Sequence, residues 1–362
     1  MSRSRRRGPA ALLLVVWLGA MAVAIDAPAL EPRRLPVATA RLGPAPRDTA
    51  TFRNLDPEFR RASNWTRARF ALLGMISLLG SEKRHFDPLP AAAVDTAGLA
   101  RNRRQATVTW VGHSTLLVQL DGLNILTDPN WNTRTGPLSG HIGVGRYTPP
   151  GVAFDDLPPI DVVLISHDHY DHLDEPTVRR LAARFNPRFV VPLGIKAWLG
   201  DRGITNVDEL DWGQTISIGQ VTIVCTPAQH GSGRALIDHG KRLWSSWAVI
   251  GSKRFYFGGD SGYAGHFKLI GDELGPFDLA ALPIGSYTPP VIARPVHMSP
   301  EESLQAWADL RATRFVGIHW GTFSLAEEPA HEPPRRLAQE VKARGLDPKA
   351  VWAPRPGETV RW

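Results

Sequence analysis

The sequence predicts an α/β fold in which strands and helices alternate in layers, and two local signals carry that prediction. Apolar runs at residues 116–120 and 123–126 flank Asp121-Gly122, and an Asp-Gly pair between such runs is a strong signal for a β-hairpin. The stretch Ser299-Pro-Glu-Glu302 combines an N-cap residue, a proline in the first turn and a glutamate at N3, which predicts a helix towards Leu310. Strands and helices that alternate with short turns favour a layered α/β domain over a helical bundle.

The chain begins with a predicted targeting signal at residues 1–24. An uncharged run from residue 8 to residue 25 follows four arginines, Arg3, Arg5, Arg6 and Arg7. Small residues at 22–24 and 27–29 offer cleavage sites. The apolar part is short for a membrane-spanning helix, so we interpret the segment as a signal peptide, with an uncleaved signal anchor as the alternative. Both interpretations predict export, with the protein in the periplasm or associated with a membrane of the cell envelope.

Residues 25–104 are predicted to form a basic N-terminal extension. They carry 14 basic and 8 acidic side chains, whereas residues 105–362 carry 24 basic and 27 acidic ones. Within the extension an apolar run, residues 70–79, follows Trp65 and the arginines Arg60, Arg61, Arg67 and Arg69. This pattern is typical of a membrane-surface element, and the alternative is a helix that packs on the catalytic domain with its arginines in solvent. The slight acidity of residues 105–362, the predicted catalytic domain, argues against a nucleic-acid partner.

A dense cluster of metal-binding residue types follows an apolar run at residues 160–165. Residues 166–172 read Ser-His-Asp-His-Tyr-Asp-His. His167 and His169 share one side of an extended chain, and Asp171 and His172 follow where the chain must turn, within reach of a second ion. Imidazole nitrogen together with carboxylate oxygen suits zinc and its neighbours. A polar loop of solvated histidines is the alternative, and the position directly after a buried strand argues against it.

Three later runs with strand character also end in a candidate ligand. Residues 221–225 lead to His230, residues 254–257 lead to Asp260, and residues 314–318 lead to His319. Each of these residues taken alone is more typical of an ordinary polar loop. Their shared position after apolar strands predicts that they converge with the first cluster at one sheet edge.

These motifs resemble those of the metallo-β-lactamase fold hydrolases, and within them the N-acylphosphatidylethanolamine-hydrolysing phospholipase D family. The resemblance covers about residues 105–360. The His-x-His-x-Asp-His pattern identifies the superfamily alone, whereas Pro-Phe-Asp-Leu-Ala at 276–280 and His-Trp-Gly-Thr-Phe at 319–323 are more specific to the family. Further matching segments are residues 107–115, 126–129, 157–174, 191–194, 210–212, 226–230, 243–247 and 258–263.

The resemblance implies an αββα four-layer sandwich with a two-zinc site at one edge of two packed sheets; iron or manganese is a less favoured occupant. The implied ligands of one zinc ion are His167, His169 and His230. The implied ligands of the other are Asp171, His172 and His319, with Asp260 as a bridge between the two ions. Asp171 and Asp260 are also the expected catalytic residues.

The chemistry of paired metal ions agrees with what the sequence lacks. Two divalent ions lower the pKa of a shared water and stabilise charge on a phosphoryl oxygen, so no side-chain nucleophile is needed. A Gly-x-Ser-x-Gly motif does not occur, and Cys225, the single cysteine, lies in an apolar strand and is interpreted as core.

Five further residues are candidates for support of the metal ligands or for substrate contact. His113 and Asp128 follow apolar strands and are predicted to orient ligand imidazoles, with a buried hydrogen-bonded pair as the alternative. Arg234 has a guanidinium that suits phosphate oxygens, although a solvated surface arginine is the alternative. Tyr170 lies inside the ligand motif, and His297 lies on a flanking loop. Because Val296 replaces a glutamine of the family's animal members, head-group specificity stays open.

Three functions from different classes follow. The first is a phospholipase D-type phosphodiesterase that releases N-acylethanolamine and phosphatidic acid from N-acyl phosphatidylethanolamine. The second is a metal-dependent hydrolase of another ester, such as a lactone or a sugar-phosphate ester. The third, a non-enzymatic metal-binding envelope protein, is disfavoured because a pure binder needs no bridging carboxylate. The first predicts a phospholipid substrate and contact with a membrane surface, and a homodimer is a further expectation.

Overall fold

The computed structural model describes residues 39, 41–63, 65–66, 87–235 and 237–362. All of them belong to one unit, which spans residues 32–362. The leader predicted at residues 1–24 and the apolar run at residues 70–79 lie outside the described residues. Among the helices of the described ranges, none has the length and apolar character needed to cross a bilayer.

The first of two large sheets has seven strands in the order β16-β1-β2-β3-β6-β7-β8. Its strands are β1 Thr107–Gly112, β2 Thr115–Leu120, β3 Leu123–Thr127, β6 Val162–Leu164, β7 Arg188–Pro192, β8 Val207–Leu210 and β16 Thr359–Arg361. Pairing is antiparallel from β16 to β3 and parallel from β3 to β8. A separate two-stranded hairpin is formed by β4 Arg134–Thr135 and β5 Val144–Gly145.

The second sheet also has seven strands, in the order β15-β14-β13-β12-β11-β10-β9. These are β9 Thr215–Ile218, β10 Val221–Thr226, β11 Ser246–Ile250, β12 Arg254–Phe257, β13 Leu279–Pro283, β14 Phe315–Ile318 and β15 Val351–Trp352. Pairing is antiparallel from β9 to β12 and parallel from β12 to β15. Strands β10, β12 and β14 therefore run in the same direction and end at the same edge.

Helices cover the outer faces of the two sheets. They are α1 Thr96–Arg101, α2 Glu175–Phe185, α3 Ile195–Gly200, α4 His266–Leu274, α5 Pro290–Ala293, α6 Pro300–Asp309 and α7 Glu332–Ala343, with a 3₁₀ turn at Phe154–Asp156. Val163 and Phe189 of the first sheet pack with Leu181 of α2 and Ile195 of α3. A larger cluster fills the space between the sheets and extends under α4, α6 and α7. The predicted αββα four-layer sandwich is confirmed.

Both local signals in the sequence form the expected elements. Strands β2 and β3 pair around Asp121-Gly122, where both residues have a positive φ, 49° and 84°, as a two-residue type I′ turn requires. Ser299 caps α6: its side chain accepts a hydrogen bond from the Glu302 N–H, and the Glu302 side chain accepts one from the Ser299 N–H. The helix ends at Asp309, with Leu310 as its C-cap. The predicted hairpin and helix are therefore confirmed.

The described parts of residues 25–104 pack against the sandwich. Leu42 is fully buried in the larger of the two hydrophobic clusters, and Leu99 of α1 is buried in the cluster on the outer side of the first sheet. Trp65, by contrast, is 77% exposed. Part of the extension thus contributes to the hydrophobic core, and the boundary at residue 104 stays a prediction.

Candidate metal centre

The ends of four strands bring the seven predicted ligands to one place. His167, His169, Asp171 and His172 follow β6 of the first sheet. The remaining three lie after β10, β12 and β14 of the second sheet: His230, Asp260 and His319. Those three strands run in the same direction, so their carboxyl ends lie at one edge of the second sheet. The loop after β6 of the first sheet lies at the same edge of the sandwich. This is why residues far apart in the chain meet here.

The first group of ligand atoms belongs to three histidines. His169 Nδ1 lies 2.9 Å from His167 Nε2 and 3.2 Å from His230 Nε2. A tetrahedral zinc ion with Zn–N bonds of about 2.0–2.1 Å holds its ligand atoms about 3.3 Å apart. Asp260 Oδ2 lies 4.0 Å from His167 Nε2 and 3.8 Å from His230 Nε2. The group therefore has the spacing of a metal site, with Asp260 on its open side.

The second group shares the same carboxylate oxygen. Asp260 Oδ2 lies 3.2 Å from His172 Nε2 and 3.1 Å from His319 Nε2. Asp171 Oδ2 lies 3.2 Å and 3.6 Å from the same two nitrogen atoms. One oxygen of Asp260 thus lies between both groups, as the expected bridge requires.

Among the described residues, several buried polar atoms at this place have no hydrogen-bond partner. They include the Nε2 atoms of His172 and His319 and Oδ1 of Asp260. A buried polar atom without a partner costs about 1–3 kcal/mol, and more when it carries charge. A divalent ion in each group would satisfy these atoms, so the residues present fit metal ions. Imidazole nitrogens and carboxylate oxygens form candidate metal-binding clusters in this chain.

Electrostatics differ between the two groups. Burial lowers the pKa of His167 and His230 well below its ordinary value, which favours the neutral form that binds metal. Burial also acts to lower the pKa of His319, but the carboxylates of Asp260 and Asp171 outweigh it and raise that pKa to about 9. The second group thus carries the larger excess of negative charge. Positive charge is needed there, and a divalent cation can supply it.

Asp128 supports two of the ligands through one carboxylate. Its Oδ2 accepts hydrogen bonds from His172 Nδ1 and Ser166 Oγ, each at 2.6 Å, and its Oδ1 accepts one from Ser166 N at 2.7 Å. Ser166 Oγ also lies 2.9 Å from His167 Nδ1. A bond at Nδ1 leaves Nε2 of the same ring free for metal, so these contacts select the tautomer that binds.

His113 has a different partner from the one expected. Its Nε2 lies 2.9 Å from Asp171 Oδ2, so it orients a carboxylate ligand, where an imidazole was expected. His113 and Asp128 do not form the alternative pair, because each contacts a different ligand. Both residues and His319 have a positive φ, between 35° and 60°, which is uncommon for residues other than glycine. Strained backbone of this kind is concentrated at functional sites.

Arg234 and Tyr170 support the ligand loop from behind. Arg234 Nη1 donates hydrogen bonds of 2.8 Å to the backbone oxygens of Asp168, which lies between two of the ligands, and Leu173, which directly follows the last ligand of this loop. Tyr170 donates its hydroxyl to the Arg234 backbone oxygen at 2.6 Å, and the guanidinium lies over its ring at 4.1 Å. The structure gives both residues a role in holding the loop. Their contact with substrate stays a prediction.

His297 lies against both groups of ligands. Its Nδ1 is 3.8 Å from Asp260 Oδ2 and has no hydrogen-bond partner. Its ring centroid is 5.3 Å from the rings of His230 and His319. The segment between α5 and α6 thus adds a further polar side chain to the centre.

Sequence reasoning missed some supporting residues. Asp168 accepts hydrogen bonds from Gly233 N and Arg242 Nη1, each at 2.8 Å, and so ties the first ligand loop to the His230 loop. Asp168 lies between His167 and His169, so in an extended chain its side chain points to the opposite face from the two imidazoles. This alternation is a signal in the sequence from which a supporting role of Asp168 could have been inferred. Asn130, which donates to the Asp171 backbone oxygen at 3.1 Å, and Asn54, described below, had none.

Comparisons with known proteins identify the family of this chain. The family model described as a beta-lactamase superfamily domain matches residues 123–320. N-acyl-phosphatidylethanolamine-hydrolyzing phospholipase D 1 of Caenorhabditis elegans is 41% identical over 276 residues, which is 73% of this chain and 77% of the relative. An uncharacterized protein of Mycobacterium tuberculosis is 42% identical over 333 residues, 89% of this chain and 86% of its own.

A solved structure shares the fold as well. A metallo hydrolase from the archaeon Ignicoccus hospitalis superposes with a TM-score of 0.56 at 26% identity, over 72% of this chain and 99% of its own. These matches confirm the resemblance inferred from the motifs. The chain belongs to the metallo-β-lactamase fold hydrolases, in the family of the N-acylphosphatidylethanolamine-hydrolysing phospholipases D.

Proposed function

We propose that this metal-dependent hydrolase is a two-zinc phospholipase D-type phosphodiesterase. Its proposed substrate is N-acyl phosphatidylethanolamine, and the products are N-acylethanolamine and phosphatidic acid. The observation that carries the proposal is the position of Asp260 Oδ2 between two groups of ligands, in a chain 41% identical to a phospholipase D of this type. Two adjacent cations with one shared carboxylate suit displacement at phosphorus, because both the attacking and the leaving oxygen are stabilised.

Each side chain at the centre has a proposed part in this reaction. Bound divalent ions supply Lewis acidity and an activated water, so no side-chain nucleophile is required. Asp260 and Asp171 provide the carboxylate oxygens that would hold the ions, and Asp128 fixes the tautomer of His172. We assign to His297, whose Nδ1 has no partner, contact with an oxygen of the substrate.

The only cysteine does not offer a competing mechanism. Cys225 is fully buried in β10, and burial raises the pKa of its thiol well above the ordinary value. A thiol in that state is a poor nucleophile, since the thiolate is the reactive form. The chemistry is therefore assigned to the metal centre.

A cavity beside the ligand loop supports a lipid substrate. It has a volume of about 360 Å³, and its lining includes Leu55, Ala228 and Leu269 together with the polar residues Asp56, Gln229 and His266. Gln229 directly precedes the ligand His230, so part of the lining belongs to a ligand loop. The aliphatic part of the lining suits an acyl chain.

An isotope experiment tests which bond is broken. The zinc-loaded protein is incubated with N-palmitoyl phosphatidylethanolamine in mixed micelles in oxygen-18 water, and the products are analysed by mass spectrometry. Attack at phosphorus places one labelled oxygen in phosphatidic acid and none in N-acylethanolamine. Label in a released fatty acid would mean that a carboxyl ester or amide is cleaved, and the hydrolase of another ester would replace this proposal. Enzyme stripped of metal is the control.

We further propose that the protein acts at a membrane surface after export, since its proposed substrate is a bilayer lipid. The basic segment around Trp65, which exposes 77% of its surface, supports this location. Export through the 1–24 leader, a periplasmic or envelope location and a homodimer are parts of the same proposal.

A further inference from the structure

A segment that precedes the sandwich contacts one metal ligand directly. We call residues 41–63 the strap. Asn54 of the strap donates from Nδ2 to the His230 backbone oxygen at 3.1 Å, and His230 N donates to Asn54 Oδ1 at 3.0 Å. One carboxamide thus satisfies both backbone groups of His230, as a neighbouring strand would.

Two further contacts fix this arrangement. Trp244 Nε1, which is buried, donates to Asn54 Oδ1 at 3.0 Å, so the carboxamide is held in one orientation. Arg61 Nη2 donates to the His230 backbone oxygen at 3.2 Å. The Arg61 guanidinium lies so close to Gly231 that a side chain at this position would collide with it. A larger residue after the ligand would therefore displace the Arg61 guanidinium from this position.

The strap itself is anchored at several points along its length. Leu42 is fully buried in the larger hydrophobic cluster, and Ala45 N donates to Asp211 Oδ1 at 3.0 Å. Phe52 N donates to the Gly240 backbone oxygen at 2.8 Å. Asn54 is thus presented to His230 by a segment that is tied to the sandwich at Leu42, Ala45 and Phe52.

We propose that Asn54 is a positioning residue of the metal centre, which fixes the main chain of His230 and so sets the metal affinity of the His167–His169–His230 group. The imidazole ring of His230 is held separately, because its Nδ1 donates to the Val296 backbone oxygen at 2.9 Å. Nε2 of His230 would point at a bound ion only when both the main chain and the ring of His230 are fixed. The inference rests on the proposed two-ion centre, and it is independent of the choice of substrate.

The test uses zinc affinity measured by competition with a chelating indicator, in two backgrounds of the full chain. His319→Ala leaves the His167–His169–His230 group as the intact one, and His230→Ala leaves the Asp171–His172–His319 group. In the first background Asn54→Ala should weaken zinc binding by roughly 10- to 100-fold, the usual effect of losing a partner that orients a ligand. In the second background it should change affinity by no more than about twofold, because the hydrogen bonds of Asn54 go to His230 and Trp244, neither of which is a ligand there.

Asn206→Ala is the matched control. Asn206 Nδ2 also donates to two backbone oxygens, those of Asn186 and Pro187, at 3.1 Å each, but none belongs to a ligand. This variant should leave zinc affinity unchanged in both backgrounds. If Asn54→Ala fails to fold, Arg61→Met, which removes the second donor to the His230 oxygen, replaces it with the same expected direction.

Equal weakening in both backgrounds, or no weakening in the first, would overturn the positioning role. Loss of zinc binding in both parent backgrounds would overturn the two-ion centre together with this inference. A negative isotope experiment with intact zinc affinities would instead refute the choice of substrate alone.

Discussion

Asp128 offers the sharpest test of how the protein prepares its ligands. The Asp128→Asn substitution keeps the shape of the side chain and removes one acceptor oxygen. The backbone at this position has a φ of 35°, a region that asparagine tolerates well, so the substitution adds no strain. Any effect therefore comes from the lost hydrogen-bonding capacity.

The carboxamide cannot satisfy all three partners of the carboxylate. If its oxygen faces Ser166 N, its NH₂ group faces His172 Nδ1, which must then lose its proton and carry it at Nε2, where the ion binds. If its oxygen faces His172, its NH₂ group faces Ser166 N, and this buried donor loses its partner at a cost of about 1–3 kcal/mol. The first orientation impairs metal binding, and the second destabilises the fold.

The expected size follows from these two costs. Losing the partner of a ligand imidazole weakens metal affinity by roughly 10- to 100-fold, which corresponds to about 1.4–2.8 kcal/mol. The loss should fall mainly on the ion held by His172. Metal-free protein should in turn unfold at a lower temperature if the second orientation dominates.

The assay combines zinc titration against a chelating indicator with thermal unfolding of the metal-free protein. Asp161→Asn is the control, because Asp161 lies just before the same strand, β6, and accepts a hydrogen bond of 2.8 Å from Asn124 N. Asp161→Asn removes the same charge as Asp128→Asn, yet its carboxamide oxygen can still accept the hydrogen bond from Asn124 N. Asp128→Asn protein that binds both ions with parental affinity and unfolds at the parental temperature would refute the reasoning.

Two further predictions concern the bridge and the extension. Asp260→Asn should lower kcat at least about 100-fold, because a neutral amide cannot bridge two cations as a carboxylate does, and steady-state assays with saturating zinc measure this. Near-parental kcat would exclude a bridging role. Replacing both Leu73 and Ile76, which lie outside the described residues, with serine should weaken binding to anionic vesicles in sedimentation assays and spare turnover of a soluble short-chain phosphodiester. Added salt should weaken vesicle binding of the parent protein; equal loss on both substrates would instead indicate core packing.

The sequence predicted those parts of the centre that have a local signature. The His-x-His-x-Asp-His cluster follows β6 directly, and His319 follows β14 directly, so strand recognition alone places them at a sheet edge. The turn at Asp121-Gly122 and the cap at Ser299 are likewise determined by neighbouring residues. Local chemistry suffices wherever a residue and its partner are close in the chain.

The supporting contacts do not have this property. Asn54 and His230 are 176 positions apart, and an asparagine in an irregular segment carries no pattern that indicates a ligand as its partner. Arg234 was expected to meet phosphate because its residue type suits that ligand, and in the structure its guanidinium also donates to backbone oxygens of Asp168 and Leu173, in the distant loop that carries four of the ligands. Residue type predicts what a side chain can bind, whereas the packing of distant segments determines what it does bind. The metal ligands of this centre could therefore be recognised from the sequence. The residues proposed to set their affinity could be recognised only from the packing of distant segments.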